Sequence, residues 1–298
     1  MTPATPLTGS SATGASHASF GARLRDAMDQ YGPLCVGIDP HPSLLAAWDL
    51  PDSVAGLGRF AATCVEALQG TVAVVKPQAA FFERFGSAGI AVLERTLADL
   101  RDSGTLSILD AKRGDIGSTM AAYAGAYLSN HSSVRADAVT LSPYLGYASL
   151  RPALDLALST GRGAFVLALT SNPEGPAVQH ASWQGRSVAA RVVDGVTGDN
   201  RGASPLGSIG MVVGATVGDA VSRLGLDLAA ANAPLLAPGV GAQGGTVQDL
   251  RRVFGSALPN VLASSSREVL GAGPGVAALR AAARSTASAL GALTGRPI

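Results

Sequence analysis

The chain has 298 residues, 47% hydrophobic and 14% charged, enough for the core of one α/β barrel or of two ordinary domains. Its 22 basic and 21 acidic residues leave a net charge of +1, which excludes the electrostatic footprint of a nucleic-acid or anionic-membrane binder. Any bound anion must be met locally.

Residues 1–18 lack the basic start and continuous apolar stretch of a secretory signal, and no run of about 18 apolar residues follows. The expectation is a cytoplasmic protein with a disordered N-terminal tail and one domain over residues 19–298. Eight short β-branched runs then recur with turn residues at their ends: 34–39, 71–76, 105–112, 136–142, 163–170, 208–216, 234–240 and 260–266. Between them lie segments of helical period, such as Ile90, Leu93, Leu97 and Leu100, or Val188, Val192 and Val196. Near-continuous apolar strands separated by crossover helices predict a parallel sheet covered on both faces, and eight repeats suffice to close a (β/α)8 barrel. An open doubly wound sheet is the alternative. Against it, the glycine-rich turn follows the seventh strand, whereas a dinucleotide fold needs it after the first.

Two connections exceed what a barrel requires, one from Pro40 to about Gly58 and one from Asn172 to about Gly185. Both fall on the C-terminal rim, as lids or as plain insertions. Cys35 and Cys64 show no metal-ligand or redox spacing and read as buried thiols. None of His17, His41, His131 and His180 has a second ligand at helical or strand spacing, so no metal is expected.

Of the 22 basic residues only Lys76 and Lys112 are lysine. A position that keeps lysine in an arginine-using chain is a candidate for proton donation, although chance survival on the surface explains it equally well. Their placement favours function. Lys76 ends the second strand, Asp110 and Lys112 share one face at the end of the third, and Asp39 ends the first. Asp115, in the turn that follows, reads by itself as a helix cap. Taken together, converging carboxylates and ammoniums carry a desolvation cost that folding does not require.

The string DAKRGDIGST (110–119) closely resembles the signature of the orotidine 5'-monophosphate decarboxylases. The resemblance continues through Asp39, Lys76, TSNP (170–173), PGVGAQGG (238–245) and SSSRE (264–268), nearest the longer bacterial branch. It implies a barrel enzyme that makes uridine monophosphate without metal or cofactor, as a homodimer with shared active sites. By that resemblance Lys76, Asp110, Lys112 and Asp115 form an alternating array, and Asp115 and Thr119 cross into the neighbouring subunit's site. Asp39 matches the ribose ligand, Ser171 the ligand of the pyrimidine amide edge and Arg267 the phosphate ligand. Gln243, followed by Gly244, matches the loop residue spanning phosphate and base.

The chemistry agrees with these roles. Loss of carbon dioxide from C6 leaves an in-plane carbanion that the ring cannot delocalise, and the chain carries no cofactor motif to act as an electron sink. An ammonium aimed at C6 stabilises that charge and then protonates it, which assigns the step to Lys112. Three other readings stay open. A magnesium-dependent phosphosugar decarboxylase shares the Asp-x-Lys-x-x-Asp string but wants a carboxylate at position 76. A Schiff-base aldolase typically carries its lysine on a later strand. A catalytically silent nucleotide-binding regulator has no need of Lys112.

Overall fold

A computed structural model describes residues 18–240 and 246–294. Most of the expected tail, residues 1–17, therefore lies outside the described residues. Each expected strand forms close to its predicted place. β1 (Leu34–Ile38), β2 (Val74–Pro77), β3 (Leu106–Arg113), β4 (Ala138–Leu141) and β5 (Gly163–Leu169) pair in parallel as consecutive neighbours. A short hairpin of β6 (Ser182–Trp183) and β7 (Arg186–Ser187) stands apart. β8 (Ile209–Val213), β9 (Leu235–Pro238) and β10 (Val261–Ser264) complete the ring, and β10 returns to β1. The closed parallel sheet with its intervening helices is the (β/α)8 barrel, not the open sheet.

Strand parity divides the apolar residues into two cores. Leu34, Val36, Val75, Leu109, Val139 and Val166 point outward and pack with the surrounding helices. Cys35, Val74, Leu106, Ile108, Ala138, Phe165, Val212, Leu236 and Leu262 point inward and fill the barrel. The inner core also holds a segment that the strand pattern did not reveal. α1 (Phe20–Tyr31) starts at Ser19, whose hydroxyl accepts from Ala22 N at 3.2 Å, and its stripe of Phe20, Leu24 and Met28 closes the N-terminal end. Phe20 meets Phe165 edge to face, ring centres 6.0 Å apart.

The two long connections are docked structures. The first forms α2 (Pro42–Ala47) before α3 (Val54–Leu68), and it buries Leu45 and Trp48. The Trp48 indole donates to Leu270 O at 3.1 Å and stacks on Phe60. The second forms a short helix (Gly175–Gln179) and the hairpin, anchored where the Gln179 side-chain oxygen accepts from Thr170 N at 2.9 Å. Both cysteines are buried as expected, and burial pushes both thiols up, that of Cys35 to about 12. No described helix is long and apolar enough to cross a membrane.

Because the fully buried Phe20 belongs to the inner core, Phe20→Ala should destabilise the fold by about 3–5 kcal/mol. Urea unfolding measures this. A loss below about 1 kcal/mol would mean that α1 is peripheral to the barrel.

Candidate active site

The parity that buries Val74 and Ile108 inside the barrel carries Lys76 and Asp110 inside one layer higher, and it carries Asp39 inward above Cys35. These residues line one cavity of about 350 Å³ at the C-terminal mouth, a volume suited to a small molecule. Lys112, Ser171 and Arg267 line the same cavity. All six converge from β2, β3 and the segments that follow β1, β5 and β10.

Asp110 is the centre of the group. Its Oδ2 accepts from Lys76 Nζ at 3.0 Å, and its Oδ1 accepts from Lys112 Nζ at 2.6 Å and from Thr140 Oγ1 at 2.9 Å. Lys76 Nζ also lies 4.0 Å from Asp39 Oδ1. The Lys76 side chain is 7% exposed, whereas that of Lys112 is 47% exposed, so one ammonium is fixed and the other has room to move. Burial alone would raise the Asp110 carboxyl, but the two ammoniums overrule it and hold its pKa at about 2. For Lys76 burial works to lower the pKa, and the opposing carboxylates of Asp110 and Asp39 drive it up instead. The pair therefore stays ionised across the physiological range.

Lys112 has φ of +48°, a left-handed conformation that costs a non-glycine residue about 1–3 kcal/mol. The parallel register between β3 and β4 slips here, between Leu109 and Arg113. Contacts at both ends of the residue hold it: its N–H donates to Thr140 Oγ1 at 2.9 Å while its Nζ bonds Asp110. Arg113 then turns outward, ion-paired with Glu83 and lying over the rings of Tyr123 and Tyr127.

Among the described residues, buried Asp39 Oδ1 has no hydrogen-bond partner, and Asp39 lines the cavity. Below it, a Cβ at position 37 would fall 2.2 Å from Ser266 Oγ and 2.7 Å from Asp39 Oδ2, so any side chain there displaces these two groups. Asp115 and Thr119 do not join this cavity. Asp115 Oδ1 accepts from Ile116 N at 2.8 Å, just before the helix Gly117–Leu128, and Thr119 is exposed on that helix. The expectation that Asp115 caps this helix by a side-chain bond to its first turn is not met, because the bond stops at the preceding residue. Gln243 and Gly244 lie outside the described residues, although Pro238, Gly239 and Val240, at the start of their turn, line the cavity.

Sequence reasoning missed Thr140 and Gln78. Gln78 Nε2 donates to Asp110 O at 3.2 Å, tying the ends of β2 and β3 together. Their signal was parity. Thr140 sits two residues after the inward Ala138, and Gln78 two after Lys76.

Asp110→Asn leaves buried Lys76 with only the more distant Asp39 carboxylate, at 4.0 Å, as counter-charge, and it should lower the unfolding free energy at pH 7 by about 3–5 kcal/mol. The folded pKa of about 2 lies below the unfolded value of about 3.9, so this stabilisation is complete above that value and fades as pH falls toward 2. Urea titrations of both proteins should converge over that interval. Equal stability at neutral pH, or a gap that widens on acidification, contradicts the charge assignment.

Comparison with known proteins accords with this geometry. A model of the orotidine 5'-phosphate decarboxylase / HUMPS family matches residues 32–282. An orotidine 5'-phosphate decarboxylase of Salinispora arenicola is 64% identical over 279 residues, covering 93% of this chain and 99% of that protein. One from Streptomyces coelicolor is 62% identical over 266 residues, covering 89% and 94%. Among solved structures, a candidate orotidine 5'-phosphate decarboxylase of Streptomyces avermitilis superposes with a TM-score of 0.91 at 58% identity, covering 96% of this chain and all of that one. The OMP decarboxylase of Leishmania donovani gives 0.73 at 30% identity, covering 93% and 99%. With its family model spanning most of the barrel and relatives matched nearly end to end, the chain belongs to the orotidine 5'-phosphate decarboxylase / HUMPS family.

Proposed function

We propose that this protein decarboxylates orotidine 5'-monophosphate to uridine 5'-monophosphate, the closing step of de novo UMP synthesis, by fixed charge alone. The observation that carries the proposal is the Lys76, Asp110 and Lys112 array inside the mouth, with both ammoniums on one carboxylate. Breaking the bond from C6 to the carboxylate leaves the electron pair on C6. Lys112, the more exposed ammonium, reaches that carbon, stabilises the charge and donates its proton. Asp110 faces the departing carboxylate and disfavours the bound ground state, while Lys76 holds Asp110 ionised and in place. Asp39 receives ribose hydroxyl protons, Ser171 bonds the amide edge of the base, and Arg267 holds the phosphate by a paired guanidinium contact. By the resemblance of PGVGAQGG (238–245), Gln243 and Gly244 are assigned to phosphate and base as further ligands.

The magnesium-dependent phosphosugar reading is disfavoured by Lys76. Its ammonium lies 3.0 Å from Asp110, the carboxylate that a divalent ion would have to share. Among the described residues no three His, Cys, Asp or Glu side chains are grouped to hold a metal.

The proposed enzyme is a homodimer in which Asp115 and Thr119 complete the site of the second copy. Support comes from their position outside their own cavity and from the exposed apolar side chains beside them. Ile116 is 62% exposed and Tyr144 76% exposed, on loops joined where Ser142 N donates to Arg113 O at 2.8 Å. Mixing inactive Asp115→Ala and inactive Lys112→Ala proteins should therefore restore part of the activity; none, despite confirmed subunit exchange, refutes the shared site.

The fall in ultraviolet absorbance on conversion of orotidine monophosphate tests the reaction, and it should be unaffected by a chelator. Lys112→Ala should lose about 10³-fold or more in kcat while still binding UMP. Activity that disappears with the chelator, or that survives in Lys112→Ala, would overturn the proposal.

A further inference from the structure

We infer that Thr140 is a positioning residue for this reaction, holding the Asp110 carboxylate and the Lys112 backbone in register while the Lys112 ammonium moves. The inference rests on the decarboxylase reading above. Thr140 is 1% exposed and points into the barrel from β4, where the inward residue one layer below is Ala138. Packing alone would accept an apolar side chain at this place. The hydroxyl instead makes two bonds whose directions are fixed. The Lys112 N–H can only donate, so Thr140 Oγ1 accepts it at 2.9 Å and must send its own proton to Asp110 Oδ1, at 2.9 Å.

This polarity lets Thr140 hold Oδ1 of Asp110 while Lys76 holds Oδ2. Among the described residues, Oδ1 of Asp110 receives only Lys112 Nζ and Thr140 Oγ1. When the ammonium turns toward C6 and gives up its proton, its bond to Asp110 is lost. Thr140 then remains as the donor on that oxygen and keeps the carboxylate from rotating. The same hydroxyl pins the Lys112 N–H, and with it the left-handed φ of +48° that aims the side chain into the cavity. A single buried hydroxyl thus couples the residue under the leaving group to the residue that delivers the proton, across neighbouring strands.

Thr140→Val keeps the shape and removes the hydroxyl; Thr140→Ser keeps the hydroxyl. In a wild-type enzyme that decarboxylates orotidine monophosphate, Thr140→Val should lower kcat by about 10- to 100-fold with KM within about twofold. Thr140→Ser should recover most of kcat. Urea unfolding should show the valine protein folded under assay conditions, which separates misalignment from loss of protein. The inference is overturned if kcat of Thr140→Val stays near wild type, if the change falls on KM, or if Thr140→Ser fails to recover. Should the valine protein not fold, Thr140→Ala, which also removes the hydroxyl, takes its place with the same expectations. If neither folds, the hydroxyl is a structural support and the inference fails. A wild-type protein without decarboxylase activity defeats the functional reading itself, a distinct result.

Discussion

The mouth of this barrel is organised by one carboxylate shared among three donors. Asp110 accepts from two ammoniums and a hydroxyl, and each donor arrives on a different path: Lys76 from β2, Lys112 from the end of β3, Thr140 from β4. Opposite charges at this depth offset one another's desolvation, and so neither neutralises. The consequence is a polarised site whose charges are set before a ligand enters. Little reorganisation is then needed at the moment of reaction, which is where fixed electrostatics outperforms solvent.

The barrel makes such a site available through parity. Inward positions below the mouth are apolar, from Cys35, Val74, Ile108 and Ala138 to Phe165, and α1 seals them from beneath. Two residues further along β1 to β4 the inward positions become Gly37, Lys76, Asp110 and Thr140, with Asp39 following two beyond Gly37, while Leu167 on β5 stays apolar. The switch from core to chemistry occupies a single layer. Local strain is confined to its edge, at Lys112, where the strand slips register and the backbone turns left-handed. A rigid apolar plug below and docked connections above leave the exposed Lys112 head group as the part of the array with freedom to act.

Much of this was legible in the chain because strands and parity are local properties. The eight β-branched runs marked the strands, and the alternation within 105–112 put Asp110 and Lys112 on one face. The scarcity of lysine singled out the two ammoniums that now share Asp110. What escaped is what depends on pairing between distant segments. Thr140 and Gln78 bond to β3 across 28 to 32 residues of sequence, and no periodicity reports which strand will lie beside which. α1 escaped for another reason. Its stripe of Phe20, Leu24 and Met28 was present, but its place beneath the barrel follows only once the ring closes. The left-handed Lys112 is likewise a result of tertiary contacts, since nothing in the side chain favours it.

A direct measure of the central claim is the affinity for a uridine monophosphate analogue that carries a negative charge at the C6 position, compared with uridine monophosphate itself. Fixed positive charge aimed at C6 predicts tighter binding of the anionic analogue by about 100-fold or more, since it mimics the developing carbanion. That preference should vanish in Lys112→Ala. Equal affinity of the intact protein for the two nucleotides would contradict the account.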